Sequence, residues 1–191
     1  MGSALRPALE AAGHELVELD EAEAMIDFTA PDVVVRNIEA ALGARVPCVV
    51  GTSGWDTSEV ASKAEEAGVA VFYAPNFAIG AVLMMRFAAE AARHIPRAEI
   101  VELHHETKVD APSGTAKATA EAMGGEVAIH SVRLPGIVAH QEVLLSEAGQ
   151  LLTIRHDAFS REAYAPGVLL ALERLPGLPP GLTVGLDALL D

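Results

Sequence analysis

Apolar and polar residues follow two different rhythms along this chain. Residues 3–12 place Leu5, Ala8, Leu9 and Ala12 at helical spacing, and Gly13 is a natural stop. Residues 14–19 alternate and predict a strand; Met25-Ile26-Asp27-Phe28 predicts a second. Pro31 opens a helix to residue 42, with Val34, Ile38 and Ala41 on one face and Gly43 ending it. A buried strand over 46–50, a helix over 57–67 and a strand over 69–73 follow through short connections. Strand and helix in alternation predict a parallel sheet with helices on both faces. Such sheets bind ligands at the carboxyl ends of their strands. Three loops lie there: Thr29-Ala30, Gly51-Thr52-Ser53-Gly54 and Ala74-Pro75-Asn76-Phe77.

The rhythm changes after Phe77. A helix over 80–93 carries Val82, Met85, Ala89 and Ala92 as one stripe, with Met84 and Met85 read as core. A strand over 98–105 and a helix over 115–123 come next. Three strands then follow without helices between them, at about 127–134, 140–146 and 151–157, and Glu147-Ala148-Gly149-Gln150 is a hairpin turn. This half predicts an α+β domain with a mainly antiparallel sheet and helices on one face. Residues 162–175 are helical and 176–181 form a loop. The division is a first domain over 1–77, to which 162–191 returns, and a second over 78–161.

Composition narrows the chemistry. The 191 residues suit one large domain or two small ones. Hydrophobic residues at 51% argue against disorder, and aromatics at 4% leave the core to Ala, Val, Leu and Ile. A formal net charge of -14 argues against a nucleic-acid partner, although a few local cations can still hold a small anion. Cys48 is the only cysteine, which rules out an internal disulfide; in Val46-Pro47-Cys48-Val49-Val50 it reads as a buried small residue. No apolar run approaches the ~18 residues of a membrane span, and no basic-then-apolar leader opens the chain. The expectation is a soluble, acidic, cytoplasmic protein without a membrane partner.

One stretch is denser in reactive groups than any other: Glu102-Leu103-His104-His105-Glu106-Thr107-Lys108-Val109-Asp110-Ala111-Pro112-Ser113-Gly114-Thr115-Ala116. On a strand its side chains alternate, so Glu102 and His104 share one face and His105 points to the other. Both histidines serve one small site only if the strand ends there, and Glu106-Thr107-Lys108 is turn-like. Glu102 is placed to orient the His104 imidazole or raise its pKa. Asp110 or Ser113 can cap the following helix, Gly114 lets a ligand approach the backbone, and free amides at a helix start bind carboxylates. With Lys108 as a nearby cation, the segment offers a carboxylate cradle and proton donors, which suits a small di-acid undergoing protonation. Adjacent histidines diverge and no partner has ligand spacing, so no metal is expected.

The same stretch resembles the signature of the dihydrodipicolinate reductase family. The resemblance extends through Ile26-Asp27-Phe28-Thr29, Gly51-Thr52-Ser53-Gly54, Ala74-Pro75-Asn76-Phe77-Ala78-Ile79-Gly80 and Ser160-Arg161, in the family's order. It implies a Rossmann-type dinucleotide-binding domain, an α+β substrate domain and a homotetramer formed through the substrate-domain sheets. It also implies His104 as proton donor or acceptor and Lys108 as a second donor. His105, Gly114 and Thr115 would contact the substrate carboxylates. Gly51, Thr52 and Ser53, with Ala74, Pro75, Asn76 and Phe77, would contact NADH or NADPH. The implied reaction is hydride transfer to a cyclic unsaturated imine di-acid, followed by protonation of the enamine to give tetrahydrodipicolinate, in the diaminopimelate route to lysine. Arg161 matches a family arginine near the hinge.

The start of the chain departs from that pattern. The family opens with a strand and a G-x-x-G-x-x-G loop, of which Gly2 resembles the last glycine. The first strand and most of the pyrophosphate cradle are not in the sequence, and Glu18 and Asp20 are weak candidates for gripping the adenosine ribose. Two further readings stay open beside the reductase. One is another two-domain nicotinamide enzyme acting on a different acid; the other is a shortened, inactive dicarboxylate-binding or oligomerisation module.

Overall fold

The computed structural model describes residues 2–190. In chain order its main elements are α1 (Gly2–Ala11), β1 (Met25–Asp27), α2 (Pro31–Ala44), β2 (Cys48–Val50), α3 (Ser58–Ala67), β3 (Ala70–Tyr73), α4 (Ile79–Ala92), β4 (Arg97–His104), α5 (Gly114–Ala122), β5 (Ala128–Arg133), β6 (Ala139–Glu147), β7 (Gln150–Ala158), α6 (Ala165–Arg174) and β8 (Gly181–Val184). Two compact units result. One runs up to Phe77 and resumes at Tyr164; the other spans Ala78–Ala163.

The first unit holds a four-stranded parallel sheet in the order β1-β2-β3-β8, with Ile26 beside Val49, Val49 beside Phe72 and Phe72 beside Thr183. A parallel sheet is covered on both faces, so its inner strands need no polar alternation. Cys48, Val49 and Val50 are accordingly all buried. Val34, Ile38, Ala41 and Leu42 of α2, with Val60 and Ala64 of α3, close over Cys48, Val50 and Val71. Burial, with Asp27's charge adding to it, pushes the Cys48 thiol up to about 12, and the residue packs as a small hydrophobe.

Three readings of the pattern change here. Helix α2 runs through Gly43 and closes at Arg45, whose φ of 59° is left-handed and whose amide bonds the Ala41 and Leu42 carbonyls. Val46 precedes Pro47 and is biased to extended backbone, which stops the helix two residues later than the glycine suggested. Residues 14–18 are irregular and 19–21 form a short 3-10 turn rather than a strand. His14–Val17 and Ala24–Ile26 both line a groove of about 1010 Å³, and residues 14–18 pair with no strand. Without a neighbour to take their backbone groups, alternating residues do not make a strand. Strand β8, unread in the sequence, is four residues just past Pro179 and Pro180, paired parallel with β3 through Ala70 to Tyr73.

In the second unit the order is β5-β4-β6-β7, with β4 parallel to β5 and the other two pairings antiparallel. Met84 and Ala88 of α4 and Ala116 and Ala120 of α5 pack on Ile100, Val143 and Leu145. The opposite sheet face, carrying Val101, Leu103 and Leu144, stays partly exposed. Among the described residues no helix is long and apolar enough to cross a membrane.

Helix α6 approaches the loop after β3 so closely that a Cβ on Gly167 would lie 2.0 Å from the Phe77 carbonyl oxygen, whereas one on Gly43 would meet nothing within 4 Å. Gly167→Ala is therefore expected to cost on the order of 2–3 kcal/mol, while Gly43→Ala gains about 0.5–1 kcal/mol from helix propensity. Urea unfolding followed by Trp55 fluorescence reads this unit; equal effects at both positions would contradict the close packing at Gly167.

Candidate active site

In the first unit, Asp27 ends β1 and is 2% exposed. Its carboxylate accepts from the Thr52 hydroxyl at 2.6 Å, the Thr29 hydroxyl at 2.9 Å, the Thr29 amide at 3.1 Å and Asn37 Nδ2 at 2.7 Å. Burial alone would raise its pKa, but these bonds from Asn37, Thr52 and Thr29 outweigh it and hold the carboxyl below its usual range. Thr52 Oγ also accepts from the Thr29 amide at 2.7 Å, so the hydroxyl is committed to the loop. Trp55 Nε1 donates to the Thr52 carbonyl at 2.6 Å.

The other expected cofactor contacts divide in the same way. A Cβ on Gly51 would lie 2.0 Å from the Phe28 ring, and Phe28 in turn tilts against Phe77 at 5.3 Å. Phe77 and Ala74 are buried. Thr52, Ala74 and Phe77 are thus buried as whole residues and build the loops from within, while Gly51 is half-buried. Ser53 and Pro75 are exposed and Asn76 is half-buried, so those three present side chains. Both loops leave neighbouring parallel strands at their carboxyl ends, where the Gly51 amide bonds the Asp27 carbonyl at 2.8 Å and the Ala74 amide bonds Val50 at 3.1 Å. Adjacent loops at that end of a parallel sheet are where such folds bind ligands, and here Ser53, Pro75 and Asn76 are the residues that reach the surface. Gly167 and Phe28 shape this region, and neither was legible, because their role is steric fit rather than chemistry.

In the second unit β4 ends at His104, as a shared site for both histidines requires. Glu102, two residues earlier on the same face, is 0% exposed. Its carboxylate takes His104 Nδ1 at 2.5 Å, Arg133 Nη1 at 2.9 Å, Arg133 Nη2 at 2.8 Å and the Ser113 amide at 3.3 Å. Burial works against ionisation of Glu102, yet hydrogen bonds from Arg133, Ser131 and His104 outweigh it and hold its pKa at about 2. An ionised carboxylate only accepts, so His104 Nδ1 donates and Nε2 carries the lone pair of the neutral ring. His104 itself lies below its ordinary pKa. Burial is the main cause; Glu102 pulls upward, and Lys108 and Arg133 add to the depression. The upward effect expected of Glu102 is present but loses to desolvation.

The loop then carries the remaining residues. His105 is partly exposed, and its Nδ1 accepts from the Thr107 amide at 3.3 Å. Ser113 caps α5, its hydroxyl accepting from the Ala116 amide at 3.2 Å. Gly114 and Thr115 form the first turn of α5, and a Cβ on Gly114 would meet nothing within 4 Å, leaving the backbone open to a ligand. Lys108 Nζ lies 2.7 Å from Asp110 Oδ1. Lys108 holds Asp110's carboxyl below its usual range, and the Gly114 amide acts in the same sense. The loop's cation thus already rests on a carboxylate. Arg133, which the sequence reading passed over, is the element that ties β5 to this site; only its register opposite His104 could have revealed it. Arg161 is exposed at the start of a short 3-10 turn.

Comparison with known proteins adds the family context. The family model for the dihydrodipicolinate reductase N-terminus matches residues 6–77, and that for its C-terminus matches residues 80–190. A 4-hydroxy-tetrahydrodipicolinate reductase of Desulfitobacterium hafniense is 46% identical over 207 residues, covering 93% of this chain and 77% of the relative. One of Beutenbergia cavernae is 44% identical, covering 100% of this chain and 94% of the relative. Among solved structures, the dipicolinate-bound dihydrodipicolinate reductase from Paenisporosarcina sp. TG-14 superposes with a TM-score of 0.79 at 32% identity, covering 95% of this chain and 84% of that one.

The two pKa shifts at the site set an acid limit on stability. His104 is depressed in the folded chain, so stability begins to fall as pH drops through the ordinary histidine value of 6.5. Glu102 then adds a loss as pH falls from 4.5 toward about 2. Glu102→Gln is expected to abolish the lower step and to cost roughly 3 kcal/mol at neutral pH, because it leaves Arg133 without its counter-charge. Amide hydrogen exchange of β4 and β6 against pH measures both; an unchanged lower step would show that Glu102 does not carry it.

Proposed function

The chain belongs to the dihydrodipicolinate reductase family, and we infer that it reduces 4-hydroxy-tetrahydrodipicolinate to tetrahydrodipicolinate in diaminopimelate and lysine biosynthesis. The observation that carries the site assignment is Lys108 resting 2.7 Å from the Asp110 carboxylate, in the loop that leads from His104 into the first turn of α5. A cation held beside one carboxylate suits a substrate that carries two. The first turn of α5 supplies amides and the positive end of a helix.

The chemistry balances as loss of the 4-hydroxyl as water, gain of a hydride and gain of a proton. A nicotinamide cofactor, NADH or NADPH, supplies the hydride when bound. Gly51, Thr52 and Ser53, with Ala74, Pro75, Asn76 and Phe77, are the residues of the two loops that would hold it. His105, Gly114 and Thr115 bind the substrate carboxylates and fix the ring's orientation. His104 presents Nε2, which takes a proton when the ring charges and returns it to the enamine carbon. Glu102 makes that charging less costly by standing opposite Nδ1. Lys108, once a substrate carboxylate replaces Asp110 beside it, is the second proton donor.

His104→Gln and Lys108→Ala are each expected to lower turnover by about 10²–10⁴-fold while leaving NADH binding unchanged by calorimetry. Equal loss of both would count against these roles. Tight inhibition by 2,6-pyridinedicarboxylate separates this activity from a reductase of another acid. Dicarboxylate binding with no nucleotide binding would instead mark a non-catalytic module.

The partly exposed sheet face bearing Val101, Leu103 and Leu144 supports the family's homotetramer. Leu103→Arg is expected to shift the mass measured by light scattering from four chains toward fewer. A single-chain mass for the parent protein would refute the assembly.

A further inference from the structure

Arg133 has contacts that neither substrate binding nor proton transfer explains. Its guanidinium grips both oxygens of Glu102, at 2.9 and 2.8 Å, and Nη2 also donates to the Asp110 carbonyl at 2.7 Å. Nη1 donates in addition to the Val132 carbonyl at 2.8 Å. Nε is buried without a partner, the one such side-chain atom among the described residues. An orphaned donor carries a cost, so the orientation of this guanidinium is set by its other contacts. Two of those lead into the site.

We propose that Arg133 is a positioning residue of the reaction, acting through Glu102 to fix the His104 tautomer and through the Asp110 carbonyl to fix the loop that carries Lys108. The proposal rests on the reading of His104 and Lys108 as the proton-transfer groups. Glu102 is fully buried, and a lone carboxyl in that position would stay protonated. A protonated Glu102 has a hydroxyl of its own to donate and no longer forces His104 Nδ1 to be the donor. The imidazole could then carry its proton on Nε2, the nitrogen left for the substrate, and so could not take one up there. The two-pronged grip of Arg133 keeps Glu102 an acceptor alone. Lysine would supply the counter-charge that keeps Glu102 ionised, but not the planar fork that also reaches the Asp110 carbonyl.

The link to the loop is independent of charge. Asp110 is two residues after Lys108 and partners it by side chain, while Arg133 holds Asp110 by its backbone. Substrate can displace the Asp110 carboxylate from Lys108 without releasing that carbonyl. The loop keeps its place while its ion pair opens.

The test compares the full chain with Arg133→Lys, Arg133→Met and Glu102→Leu/Arg133→Met. The last variant leaves no unpartnered buried charge and keeps the comparison available if Arg133→Met fails to fold. Nitrogen NMR of the histidine rings reads the tautomer without any turnover. The parent chain and Arg133→Lys are expected to hold His104 with its proton on Nδ1, and the two Met-bearing variants to shift toward Nε2. Turnover is expected to fall about ten- to hundredfold in the Met-bearing variants, with partial recovery in Arg133→Lys and NADH affinity unchanged throughout. An unchanged tautomer together with parental turnover in Glu102→Leu/Arg133→Met would overturn the proposal. If the parent chain showed no reductase activity, the functional reading would fail, and the tautomer comparison would still decide the positioning claim.

Discussion

The second unit is organised around one buried carboxylate. Glu102 sits at 0% exposure and gathers a strand end, a neighbouring strand and a helix start through His104, Arg133 and the Ser113 amide. A charge in that position is tolerable only because donors from His104, Arg133, Ser131 and Ser113 reach it. The arrangement is therefore all-or-none: removing one donor strands the rest. That is why the histidine, the loop and the first turn of α5 have fixed places before any ligand arrives. Pre-set donors of this kind spare the reaction the cost of organising them.

The first unit repeats the device with different residues. Asp27, 2% exposed at the end of β1, binds the Thr29 and Thr52 loops and Asn37 of α2. In both units a carboxylate at a strand's carboxyl end shapes the loops that follow. The difference lies in the counter-charge. Hydroxyls, an amide and a side-chain carboxamide suffice for Asp27, whereas Glu102 has a guanidinium and an imidazole beside it. Neutral donors make a rigid support; an imidazole beside a carboxylate makes a group that can move a proton.

Much of this was legible in the sequence, for identifiable reasons. The alternation of apolar runs with Val34-Ile38-Ala41 and similar stripes gave a parallel sheet, since periodicity reports burial directly. The stretch from Glu102 to Ala116 announced its chemistry because the groups are close in sequence as well as in space. The reading failed where partners decide the outcome. Residues 14–18 alternate like a strand but face a groove instead of a neighbour. Gly43 looked like a helix end, but the Val46-Pro47 constraint acts further on. Thr52 and Phe77 sit where cofactor contacts were expected, yet their side chains are committed to Asp27 and the core. Arg133 was invisible because it is 31 residues from Glu102, and no local pattern encodes such a pairing.

The most direct test of the account is a crystal structure of the full chain with 2,6-pyridinedicarboxylate bound. One ligand carboxylate is expected on the Gly114 and Thr115 amides, with Lys108 turned to it from Asp110. The ring is expected against His104 Nε2, with the Glu102–Arg133 grip unchanged. A ligand bound in the second unit without touching His104, Lys108 or the first turn of α5 would contradict it.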